Sequence, residues 1–238
     1  MKCLIIAAGQ GIRMQDKGDV KPLIDLVGVP LIERVIRNAR TGGIDEFYVV
    51  SGFRGTRVRT FLDDLAEREN ITITHIINDD WQKANGISVL KAREVMDGPF
   101  ILTMSDLLFD PEIIRTVSAL EPDADTVTLC VDRNIDNPLY DKDMVMRVNC
   151  TKDHIDNIGR VIKQYNAYDT GIFHCSPAIF DAIETSEREG DGSLSGAMSV
   201  LAAEGKARTM DISGRFWLDI DDPTAYGIAI ALVQQGRL

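Results

Sequence analysis

Two hydrophobic periods alternate along the first half of this chain. Residues 4–8 form a short continuous apolar run, the pattern of a strand buried on both faces, and it breaks at Gly9-Gln10-Gly11. Leu31, Ile32, Val35, Ile36 and Ala39 then recur at helical spacing until Gly42-Gly43 stops them. Positions 47–50 read as a second strand, 56–68 as a helix, 71–77 as an alternating strand and 87–96 as a helix. The apolar run 100–104 is a strand that empties into Ser105-Asp106. Such strand–helix alternation predicts an α/β fold with a mainly parallel sheet and helices on both faces.

The rhythm changes beyond position 126. Segments 126–131, 144–148, 161–165 and 171–175 are short and β-like, separated by turns rich in Asp and Asn. They predict a small mixed or antiparallel patch added to the parallel core. Helices over 177–186 and 194–205, a strand over 207–212 and a last helix over 223–235 follow. Asp221 or Asp222 caps that last helix, and Pro223 sits in its first turn.

The length, 238 residues, fits one domain with a first part over 1–125 and a second over 126–238. A net charge of −11 argues against non-specific binding to nucleic acid or anionic membranes. The four cysteines are far apart and mostly in apolar runs, so they read as core residues rather than as a disulfide or zinc set. No apolar run is long enough to span a bilayer and no leader precedes the first strand, which predicts a soluble, cytoplasmic protein.

Against that acidic background the cations after the first strand stand out. Gly9 and Gly11 let the backbone around Ala7 and Ala8 close on phosphate oxygens, and Arg13 and Lys21 can neutralise a triphosphate. The loop also lies where open α/β sheets bind ligands, beyond a strand's carboxyl end. A dinucleotide fingerprint needs glycine where Met14 stands, and a Walker loop needs a Gly-Lys-Ser/Thr that is absent. A plain Gly-rich turn is the competing reading.

Three further stretches carry candidate chemistry. Asp106 ends an apolar strand, and Asp219 and Asp221 share one face of an extended segment ahead of the last helix. Capping explains Asp222 alone, so the other carboxylates are candidate ligands for Mg2+, which takes carboxylate and phosphate oxygens. The stretch 78–90 joins a strand end to a helix, where Asn78, Lys83, Asn85, Gly86 and Ser88 are candidates beside a nucleotide. The third spans 163–173, with Lys163, Asp169 and Gly171.

The run Leu4-Ile5-Ile6-Ala7-Ala8-Gly9-Gln10-Gly11-Ile12-Arg13, followed by Lys21-Pro22, resembles the signature loop of the nucleotidyltransferases that activate sugar and alcohol phosphates. Val20 stands where that family has a proline, and Val29 where many members have a lysine, which leaves Lys21 as the catalytic lysine. The resemblance runs over essentially the whole chain and implies a Rossmann-like, GT-A-like fold. It implies a divalent metal on Asp106 and on either Asp219 or Asp221, a base-binding segment at 85–90, and an acceptor-side segment in which Lys163 binds phosphate beside Gly171. Within the family the chain looks most like the cytidylyltransferases that pair CTP with inositol 1-phosphate. Members are often fused to a membrane alcohol-phosphate transferase, so the resemblance implies such a partner.

A phosphate monoester is already largely dianionic near neutrality, with a second pKa of about 6. It needs alignment and charge neutralisation to attack an α-phosphorus, not a general base. That suits a chain whose three histidines have no ligand spacing. Asp132, Asn134, Asp136, Asn137 and Asp169 suit the hydroxyls of a polyol, whereas choline would need a cage from Trp81, Trp217, Tyr165 and Tyr168. A hexose-1-phosphate uridylyl- or thymidylyltransferase is the alternative, and a non-catalytic nucleotide-binding regulator the more distant one.

Overall fold

The computed structural model describes residues 1–121, 125–140, 142–212 and 214–237. β1 (Lys2–Ala7) leads through the glycine loop and a hairpin of β2 (Asp25–Leu26) and β3 (Val29–Pro30) into α1 (Leu31–Thr41). Then come β4 (Glu46–Ser51), α2 (Gly55–Glu69), β5 (Thr72–Ile77), α3 (Asn85–Leu90), β6 (Phe100–Met104), β7 (Leu107–Phe109) and α4 (Pro111–Ser118). The second part runs β8 (Val127–Asp132), β9 (Arg147–Thr151), β10 (His154–Gly159), β11 (Ala167–Cys175), α5 (Ala178–Arg188) and α6 (Leu194–Ala203). It closes with β12 (Ala207–Asp211), β13 (Trp217–Asp219) and α7 (Pro223–Gln234).

Among the described residues, nine strands form one mixed sheet in the order β5-β4-β1-β6-β11-β8-β12-β10-β9. β5, β4, β1 and β6 run parallel. β11 is antiparallel to both β6 and β8, and β12 lies parallel to β8. β1 shows why its apolar run is continuous. Leu4 and Ile6 face one core with α3, α5 and α6, while Cys3, Ile5 and Ala7 face the other with α1, α2 and α4. All four cysteines are buried and free. Among the described residues, no helix is long and apolar enough to cross a membrane.

Two expected elements differ. The helix over 87–96 ends at Leu90 and continues as three-residue turns, Arg93 N–H to Leu90 O (3.1 Å) and Val95 N–H to Ala92 O (3.0 Å). Val89, Ala92 and Met96 still bury, so the apolar spacing is met without a regular helix. The strand expected over 161–165 is a loop whose Val161 is 87% exposed. The real strand is β10, paired with β9 through a turn in which Lys152 has φ 56°. A register shift between Ile155 and Asn157 breaks its alternation, which hides it from a period-two reading.

Candidate active site

The first strand's apolar residues bring the glycine loop to the carboxyl edge of the sheet, and packing fixes its far side. Met14 is fully buried with Ile24, Leu26, Leu31, Leu108, Leu218 and Ile220, so the residue that breaks a dinucleotide motif is the loop's anchor. Gly11 sits at φ 64°, and a Cβ there would lie 2.5 Å from Lys21 Cβ and 2.8 Å from Lys21 Cδ. The absent side chain thus makes the slot for the lysine stem. Lys21 is buried, and its ammonium ion-pairs with Asp106 and Asp221. Arg13 Nη2 reaches Asp221 at 2.6 Å. Burial disfavours the Lys21 charge, but Asp106, Asp221 and Asp219 outweigh it and hold the ammonium well above its usual range.

The carboxylates meet because β7 and β13 pair antiparallel, setting Asp219 against Leu107, and because Ile220 N–H donates to Asp106 O (3.0 Å). Asp222 is the cap of α7, accepting from Thr224 and Ala225 N–H, and is not part of the cluster. Oxygens of Asp106, Asp219 and Asp221 lie within 4.8 Å of one another. Desolvation raises the Asp106 and Asp219 pKa values, and the neighbouring carboxylates push both the same way. Burial also works against Asp221, yet Lys21 and Arg13 hold it low. Three carboxylates against two cations leave one carboxylate unmatched, on hard oxygen donors that face the cleft. That set fits a divalent cation of the Mg2+ kind.

These groups line one cleft of about 1210 Å³ with Ala7 and Gly9. Lys83, Asn85 and Ser88 line it from the first part of the chain, and Asp169 and Gly171 from the second. Four residues expected at the site are elsewhere. Ala8 is buried, with its carbonyl accepting Phe53 N–H (2.9 Å). Asn78 is buried behind the wall and bonds Ser88. Gly86 is small for packing, since a Cβ would strike Gly192 O, and is not on the cleft surface. Lys163 is exposed in the loop after β10, away from the lining. The cation on that wall is Arg160, which follows β10 directly and donates from Nη1 to Met144 O (3.0 Å). Sequence reading missed it because β10 itself was hidden.

Other expectations for the second part change as well. Asp132 is spent inside the fold, accepting Trp217 Nε1–H (3.0 Å) and Asn134 N–H (2.8 Å). Asn137 accepts Leu139 N–H and Asp136 pairs with Lys142. Asp169 keeps its place on the cleft, with Oδ1 accepting Gly171 N–H (2.7 Å), and burial lifts its pKa to about 6. Among the described residues, Trp81 and Trp217 line the cleft while Tyr165 and Tyr168 do not. Trp81 packs edge-on against Phe53, Trp217 lies against Tyr140, and Tyr165 and Tyr168 pack together off the cleft surface.

Residues 3–167 match the family model of the MobA-like NTP transferase domain. The chain is similar to a bifunctional IPC transferase and DIPP synthase of Rubrobacter xylanophilus, 32% identical over 92% of this chain and 49% of the relative. The protein of the same name from Thermococcus kodakarensis is 30% identical over 93% of this chain and 48% of the relative. The chain thus spans about half the length of these curated relatives. The solved inositol-1-phosphate CTP transferase from T. maritima shares the fold, with a TM-score of 0.84 at 22% identity, over 100% of this chain and 97% of that one.

Proposed function

The chain belongs to the MobA-like NTP transferase family, and from that premise we propose that it transfers the cytidylyl group of CTP to inositol 1-phosphate. The products are CDP-inositol and pyrophosphate. The observation that carries the reading is the meeting of Arg13 and Lys21 with Asp106, Asp219 and Asp221 in one cleft. The solved relative of the same fold, an inositol-1-phosphate CTP transferase, supports the choice of inositol phosphate and CTP.

In this reading the nucleotide lies along the wall from Gly9 to Ser88, within residues 1–125, and the acceptor lies against the wall built from 126–238. An oxygen of the acceptor phosphate bonds to the α-phosphorus as the bond from that phosphorus to the α–β bridging oxygen breaks. Pyrophosphate leaves with the bonding pair. Lys21 and Arg13 stabilise charge on the α-phosphate and the leaving group, which is where it grows in the transition state. Arg160 takes the acceptor-phosphate role first assigned to Lys163, and Asp169 accepts from acceptor hydroxyls. A magnesium ion on Asp106, Asp219 and Asp221 would add Lewis-acid charge to the phosphate oxygens.

Pyrophosphate release tests the proposal with CTP, UTP and dTTP, each offered with inositol 1-phosphate, glucose 1-phosphate and phosphocholine. CTP with inositol 1-phosphate is expected to give the highest kcat/KM, in an EDTA-sensitive, Mg2+-restored reaction. A best pair of UTP or dTTP with a hexose phosphate would overturn the cytidylyl assignment.

A further inference from the structure

Behind the nucleotide wall runs a chain of hydrogen bonds that surfaces in the cleft only at its end. Asn78, just past β5, is 1% exposed. Its backbone N–H donates to Ser51 O (2.8 Å), and its Oδ1 accepts Asp80 N–H (2.9 Å). A backbone N–H can only donate, so this bond fixes which end of the amide is oxygen. The other end, Nδ2, donates to Ser88 Oγ (2.9 Å). Ser88 is buried yet borders the cleft, and its oxygen receives the amide proton, so its own proton stays free to be donated. Asn85 is held in the same sense. Its Oδ1 accepts Leu194 N–H (3.0 Å), which leaves Nδ2 as its free donor. The two polar side chains that α3 brings to this wall therefore both offer hydrogens.

Resting on the reading of this cleft as a CTP site, we propose that Asn78 is a positioning residue that selects the nucleobase by leaving the Ser88 hydroxyl as a donor. Cytosine presents two adjacent acceptors, O2 and N3. Uracil and thymine carry a hydrogen on N3, which meets a wall of donors unfavourably. Asn78 does not line the cleft; its Nδ2 reaches the cleft through Ser88, while its Oδ1 keeps the Asp80 contact in both Asn and Asp forms.

Asn78→Asp tests the inference with almost no change of shape. The carboxylate oxygen that replaces Nδ2 accepts the Ser88 proton and draws it away from the cleft. The added charge weakens every triphosphate alike, so the readout is the ratio of kcat/KM for CTP to that for UTP with one acceptor. Calorimetric binding of non-hydrolysable CTP and UTP analogues gives the same ratio without turnover. The wild-type ratio is expected to be about tenfold or more, and Asn78→Asp to lower it by about tenfold. Ser88→Ala is expected to lower it similarly, with no further change when the two are combined. A purely structural Asn78 would lower both nucleotides together, so an unchanged ratio in folded Asn78→Asp overturns the inference. If that variant fails to fold, a wild-type ratio in Ser88→Ala overturns it equally. A wild-type enzyme that prefers UTP removes the cytidylyl reading beneath it, which is a different result from a CTP enzyme with an indifferent Asn78.

Discussion

At one end of the cleft Arg13 and Lys21 face Asp106, Asp219 and Asp221, with Arg13 and Asp221 standing 208 positions apart in the chain. At the other end Leu139, Tyr140, Met144, Val145 and Met146 line the wall, with Arg160 and Asp169 as its charged groups. The first end holds its geometry through buried charge pairs, and removing one partner leaves the others unpaired in a low dielectric. In the proposed reading the second end recognises the acceptor by shape and by a few polar contacts, where a single change costs less. In that reading chemistry is thus concentrated where substitution is least tolerated, and acceptor choice where it is most tolerated.

The largest break in this contrast is expected from Asp106→Asn. It removes one of three clustered carboxylates and a partner of Lys21, and steady-state pyrophosphate release should show kcat lower by about 10²–10³. Gly11→Ala comes next. Its Cβ enters the Lys21 stem at a positive φ, so a loss of about 1–2 kcal/mol in urea unfolding is expected, together with a fall in kcat. Moving to the acceptor wall, Arg160→Ala should raise the acceptor KM by about tenfold and leave CTP affinity unchanged. Lys163→Ala should stay within a factor of about two, and equal effects of the two variants would dissolve the distinction drawn between them.

The smallest effect concerns Asp169. Its carboxyl is lifted from 3.8 to about 6, so the folded chain binds a proton that the unfolded chain has released between those values. The stability linked to that proton is present at low pH and is lost as pH rises through about 6. Denaturant melts of the wild type should therefore weaken over this window more than those of Asp169→Asn.

The parallel half was legible because its strands are buried on both faces and its helices are amphipathic, as in 4–8 and in Leu31–Thr41. The phosphate loop and the three carboxylates were legible for a related reason, since charge at the end of an apolar run has few structural explanations. What stayed hidden depends on contacts distant in sequence. β7 and β13 have three residues each and exist only as a pair, so neither shows a period of its own. Asn78 looked like a ligand contact because a polar residue at a strand end says nothing about which side of a wall it occupies. Arg160 carries no signal in the sequence because the strand that ends beside it carries a bulge.

β11 has a consequence for any attempt to exchange substrate preference between relatives. Cys175 pairs with Phe100 of β6 on one side and with Val127 of β8 on the other, so this strand is a seam sewn to both halves. Cutting the chain near position 125 would strip β6 of its neighbour and leave a raw, adhesive sheet margin. The graftable cassette is instead the stretch between β8 and β11, which carries the wall from Leu139 to Arg160 together with β9 and β10 and begins and ends on adjacent strands.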